Sequence, residues 1–143
     1  MRKVVITFFS TFLFFTSSCQ VKPQEIDYGK DGCHYCKMTI VDNQHAAELV
    51  TKKGKAFKYD AIECMVNDLK QKENNSVELF YVNDYGNPGK FVPAKEATYL
   101  ISKKIPSPMG AFLSAFSSQE EAQKTQKEMT GELFSWEELL KRN

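Results

Sequence analysis

The chain has 143 residues, 19 of them basic and 18 acidic, for a formal net charge of +1. That balance argues against nucleic-acid binding through phosphate neutralisation, which needs a marked excess of lysine and arginine. The length allows one domain or two very small ones.

In chain order, Met1-Arg2-Lys3 is basic, Val4 to Phe15 is almost wholly apolar, and Thr16-Ser17-Ser18 precede Cys19. A basic start, an apolar run of about 7–15 residues and a small-residue cleavage site form a signal-peptide pattern. The run is too short for a transmembrane helix, which takes about 20 apolar residues. We read residues 1–18 as a signal peptide and Cys19 as the lipid-bearing first residue of the mature chain. A plain secretory signal and an uncleaved anchor are the competing readings, and Thr16 stands where leucine is usual. A multiply acylated cysteine binds membranes stably, which places the protein on a bacterial cell envelope, facing the periplasm. Losing Arg2 and Lys3 with the leader takes the net charge from +1 to −1. No later stretch is apolar enough to span a bilayer.

Residues 19–31 carry Pro, Gln, Lys, Asp and Gly without periodicity and predict a flexible tether. From residue 32 to 143 the pattern predicts an α+β fold of two small, similar strand-helix-strand units, roughly 32–83 and 90–143. Gly32 to Cys36 is a loop, and Met38 to Val41 reads as a strand. Ala46 to Thr51 and Ala56 to Tyr59 are strands joined by a Lys52-Lys53-Gly54-Lys55 hairpin turn. Asp60 and Glu63 have the spacing of a capping box for a helix whose apolar face is Ile62, Met65, Val66 and Leu69. That helix should end near Lys72, before the polar Glu73 to Ser76. Val77 to Val82 is a strand, and 83–89 is turn-rich. Phe91-Val92, Thr98 to Ile101 and Phe112 to Phe116 follow as strands, with a loop at Pro106 to Gly110. Gln119 to Met129 is a polar helix whose charged run reads as a solvated face. Gly131 breaks it, Leu133-Phe134 is a short strand, and Ser135 caps a last helix carrying a core Trp136.

Beyond Cys19 the chain has three cysteines, Cys33, Cys36 and Cys64. An odd number in an oxidising compartment leaves one without an internal disulfide partner. Cys33 and Cys36 can reach one metal ion, and a strand starting near Cys36 would put Met38 on the same face. Three sulfur donors are soft and suit Cu(I). Competing readings are half of a zinc site, which would need two further ligands, a thioredoxin-like redox pair, which calls for a helix after the motif, and a plain disulfide. Met109, His34, His45 and Cys64 are further candidate ligands, each with a structural alternative: Met109 as an exposed loop residue, His34 solvated, His45 on the surface, Cys64 as a small core residue.

Cys33-His34-Tyr35-Cys36-Lys37-Met38 behind such a leader resembles the NosL family of copper-binding lipoproteins, which assist copper supply to periplasmic nitrous oxide reductase. Lys58 to Met65 resembles the family's aromatic-Asp stretch. Pro108-Met109-Gly110, Ala115-Phe116, Ala122, Gly131 and Trp136 resemble its C-terminal signature. The resemblance implies a Cu(I) site at Cys33, Cys36 and Met38, and two α/β units related to an organomercurial lyase domain. It also implies a metallochaperone rather than an enzyme, exchanging copper with nitrous oxide reductase, its maturation transporter or another envelope protein. The lyase relationship motivates a rival activity, C–Hg cleavage, with Asp60 as the acid.

Overall fold

A computed structural model of the protein describes residues 21–71 and 77–142. The predicted signal peptide, Cys19 and the polar segment at 73–76 lie outside the described residues. Among those described, no helix is long and apolar enough to cross a membrane.

The fold is α+β and repeats one topology. In the first unit β1 (Ala47–Thr51), β2 (Ala56–Tyr59), α1 (Ile62–Gln71), β3 (Val77–Asp84) and β4 (Asn87–Pro93) follow in sequence, and the sheet order is β2-β1-β3-β4. In the second, β5 (Thr98–Ile101), β6 (Leu113–Phe116), α2 (Gln119–Met129) and β7 (Glu132–Phe134) give the order β6-β5-β7. All pairings are antiparallel. β4 completes the first sheet and α3 (Trp136–Lys141) closes the chain. The first unit therefore runs on to Pro93 rather than 83, because Tyr85-Gly86 is a tight turn that sends the chain back along β3.

Burial explains why the units do not stand alone. One apolar core takes Leu49, Tyr59, Ile62 and Met65 from the first unit and Tyr99, Leu113, Trp136 and Leu139 from the second. A smaller cluster, Leu100, Ile105, Phe116 and Ala122, lies under α2. Trp136 has its ring 5.7 Å from Phe80 and 5.9 Å from Tyr99, so one side chain spans the join. The Tyr85 N–H donates to the Ala115 carbonyl at 2.8 Å, tying β3 to β6.

Three local expectations give way to tertiary structure. The end of the predicted tether is fastened down: Ile26 is buried in the core, the Gln24 N–H donates to Glu48 Oε1 at 2.8 Å, and Lys58 Nζ donates to the Glu25 carbonyl at 2.6 Å. Ala47, Glu48, Leu49 and Val50 are consequently all buried, since β1 is covered on both faces. Met38 to Val41 is not a strand. Lys37 takes a left-handed φ of 66° and turns the chain back on its own loop, leaving only an isolated bridge between Gly32 and Thr39. The third correction is the start of α1. Asp60 and Glu63 form no capping box: Glu63 Oε1 instead accepts from Ser107 Oγ and, at 3.4 Å, from the Ala111 N–H. By contrast Ser118 caps α2, and Ser135 forms a full capping box with Glu138 on α3.

Candidate metal centre

The loop after Gly32 is shaped by its own backbone. The Cys33 N–H donates to the Met38 carbonyl at 2.7 Å, the Lys37 N–H to the Cys33 carbonyl at 3.1 Å, and the His34 N–H to the Lys58 carbonyl at 2.8 Å. The last bond lays the loop along β2. The positive φ at Lys37 costs about 1–2 kcal/mol for a residue with a Cβ, and Lys37 Nζ donates to the His34 carbonyl across the turn. This closure folds Cys33 and Cys36 inward toward the first turn of α1, where Cys64 lies.

The three sulfurs, Cys33, Cys36 and Cys64, lie within 4.8 Å of one another. None is in a disulfide. Cys33 and Cys64 are 2% and 1% exposed, whereas Cys36 is half-buried, so the cluster opens to solvent on the Cys36 side. Electrostatics within it are uneven. A hydrogen bond from the Cys64 thiol holds Cys33 well below the usual thiol range against the opposing effect of burial, and the N–H groups of Asp60 and Cys36 assist. Giving that bond pushes Cys64 up, with burial adding to it. Burial, and then the Cys33 charge, pushes Cys36 up. The resting arrangement is one thiolate with two thiols turned toward it, a soft-donor set preorganised around a single point.

Met38 contributes its backbone to the centre: its carbonyl accepts from Cys33 and its N–H donates to the Cys36 sulfur. Its side chain is 53% exposed. Met109 is 44% exposed, on the loop that Glu63 fastens to the first turn of α1 beside Cys64. His34 lies outside the sulfur group, its ring 4.4 Å from Phe57 and 6.2 Å from Tyr59.

His45 is not a surface residue. It is 2% exposed, with Nδ1 2.9 Å from Asp42 Oδ2 and Nε2 3.1 Å from Ser114 Oγ. Both ring nitrogens are thus engaged away from the cysteines. The order Asp42-His45-Ser114 has the connectivity of a hydrolase triad, but Ser114 is fully buried. It staples the first unit to β6. Asp60 borders the centre through its N–H on Cys33. Its carboxyl is raised by burial, accepts from the Val41 N–H and keeps Oδ1 without a partner among the described residues.

A family model described as NosL matches residues 23–142 of the chain. The chain belongs to the NosL family. No curated protein matches it. Among solved structures, the copper chaperone NosL from Shewanella denitrificans aligns with a TM-score of 0.74 at 23% identity, covering 83% of this chain and 96% of that one. The α+β architecture is therefore the NosL fold.

Within this NosL chain the residue that the sequence favours as core and the fold brings to the sulfur cluster is Cys64. Next to Met65 in the apolar stripe it reads as a small core residue, and buried it is. A usable signal was present: three cysteines remained after Cys19, and Cys64 falls in the first turn of a helix, where backbone N–H groups favour a nearby thiolate.

Proposed function

We propose that the protein is a Cu(I) metallochaperone of the bacterial envelope, lipid-anchored through Cys19, with Cys33, Cys36 and Cys64 as the metal-holding sulfurs. The observation that carries this reading is the convergence of three cysteine sulfurs in a NosL-family fold, without a fourth His, Cys, Asp or Glu among the described residues. Soft thiolates favour Cu(I), while a structural zinc site is normally closed by four ligands. The Shewanella relative, described as a copper chaperone, supports the same cargo.

The chemistry is ligand exchange rather than catalysis. Cys33 and Cys64 hold the ion from within, and half-exposed Cys36 is the sulfur an incoming donor displaces first. Exposed Met38 and Met109 supply thioethers for the handover. The acceptor in this reading is a periplasmic cuproenzyme, nitrous oxide reductase or its maturation transporter. Because Cys36 and Cys64 hold their protons more tightly than free thiols, Cu(I) must displace them. Affinity should therefore weaken as pH falls, by up to about tenfold per unit for each proton displaced.

The deciding experiment is Cu(I) competition against a chelator, with X-ray absorption to count sulfurs. Cys64→Ser should lower affinity at least about a hundredfold, beyond the 10–100-fold of outer-shell changes. Met38→Leu conserves volume and should leave the fold intact within about 1.5 kcal/mol, with a smaller loss of affinity. Unchanged affinity in Cys64→Ser, or zinc retained against excess Cu(I), would overturn the reading. The low-lying Cys33 thiolate beside two thiols favours one rival, thiol–disulfide exchange, which would be revealed by turnover with a disulfide substrate in the absence of copper.

A further inference from the structure

The β1–β2 hairpin supports the metal loop through the Lys58 carbonyl near its β2 end, while its tip lies at the other end of the strand. Lys52, Lys53 and Lys55 surround Gly54 at its tip and all are exposed. From Leu49 to Tyr59 the chain has four lysines and no carboxylate, although the whole protein is nearly neutral. The fourth, Lys58, is occupied, 2.6 Å from Asp31 Oδ2. The turn itself is closed by its own groups: Thr51 N–H to the Lys55 carbonyl at 2.9 Å, Gly54 N–H to the Thr51 carbonyl at 2.8 Å, and Lys55 N–H to Thr51 Oγ1 at 3.0 Å. Gly54 takes a φ of +79° there, with open space around it. Lys55 Nζ lies 4.7 Å from the centre of the Phe57 ring. The tip is a firm turn that presents ammonium groups outward.

The anchor is within reach of this tip. Gln24 is pinned at Glu48, four residues before Lys52, a span of about 13 Å at strand rise. Cys19 precedes Gln24 by five Cα-to-Cα steps, which can extend about 17 Å. Exposed Lys22 lies on that path.

We propose that the Lys52-Lys53-Gly54-Lys55 hairpin, with Lys22, is a membrane-contact surface for anionic phospholipid headgroups. It rests on the lipid-anchor reading above, since the acyl chain supplies the proximity and the lysines supply orientation, a pairing of one lipid with a basic patch that strengthens attachment. The cysteines lie by Asp60, five residues beyond Lys55 along β2 and about 16 Å from it at strand rise. Contact through the hairpin holds the cysteine opening off the bilayer, where a soluble acceptor can meet it.

The test uses the full-length protein purified from membranes and reconstituted into vesicles of phosphatidylcholine alone or with phosphatidylglycerol. Acetylation of each lysine is followed by mass spectrometry, with exposed Lys103 and Lys104 as internal references. Phosphatidylglycerol should slow Lys52, Lys53 and Lys55 at least about fivefold relative to the references, and high salt should reverse the effect. Equal rates on the two vesicles, or slowing only when other membrane proteins are added, would overturn the proposal. Intact mass reads the lipid on Cys19 separately, so the anchor and the hairpin can fail independently.

Discussion

α1 and α2 hold equivalent places in the two units, each after an antiparallel strand pair and before the third strand of its sheet, yet they are built in opposite ways. Seven of the ten residues of α1 are buried, including Glu63, Cys64 and Asp68, whereas α2 buries only Ala122. α2 begins at a Ser118 cap with its charges in water. α1 begins without a side-chain cap, because Asp60 faces the Val41 N–H and Glu63 the loop carrying Met109. The buried side-chain oxygens lacking a partner among the described residues, in Glu48, Asp60, Glu63 and Asn83, all lie in the first unit. Such atoms each cost stability. The second unit caps its helices by the local rules, although Phe112 and Thr130 take left-handed φ values of 59° and 60°. It lends its core to a first unit whose buried polar groups are diverted around the cysteines, the pattern expected where function competes with folding.

That contrast can be broken most severely from the second unit. Gly131 has a φ of +117°, and a Cβ there would lie 2.2 Å from the Ile101 carbonyl oxygen. Gly131→Ala should therefore part β7 from β5 and cost about 3–5 kcal/mol, read by chemical denaturation. Because Trp136 and Leu139 belong to the shared core, the loss should appear as one cooperative transition, with the cysteine centre lost together with the second sheet. Two separate transitions would mean that the units are energetically independent.

A smaller effect of opposite sign is expected in the first unit. Burial raises the Glu48 carboxyl from 4.5 to about 7. A raised acid pKa means that the folded state holds the proton more tightly than the unfolded chain. Stability from this group is full below about pH 4.5, declines as pH rises toward 7, and stays lower above it. Glu48→Gln keeps an acceptor for the Gln24 N–H and removes the buried charge. It should raise stability by about 2 kcal/mol at pH 8 and by little at pH 5. Melting curves at both pH values check this, and equal gains would point to packing instead.

The mildest probe is the capping of the second unit. Ser135→Ala should cost about 1 kcal/mol, measured as a shift in the denaturation midpoint without change of slope. A negligible cost would mean that α3 is held by Trp136 and Leu139 alone.

The same contrast explains what was legible beforehand. α2 matched its predicted span because its polarity, Ser118 and the following Gly131 are local signals. β2, β5 and the Ser135 cap were likewise readable from alternation and capping chemistry. Local rules misled where side chains had been diverted: Asp60 and Glu63 have the spacing of a cap, Met38 to Val41 the composition of a strand, and His45 the setting of a turn residue. Nothing near these residues in the chain announces Ser107, Ala111, Ser114 or the left-handed Lys37 turn that redirects them.

By itself the sequence determined the elements whose formation depends on neighbours within a few residues, the leader pattern, and a Cys33–Cys36 pair able to meet one ion. Tertiary structure alone decided that Cys64 joins them, that Glu48 and His45 are buried, and that two units share one core. Each of these depends on contacts between residues tens of positions apart, where the chain's return path, rather than local propensity, determines which side chains meet.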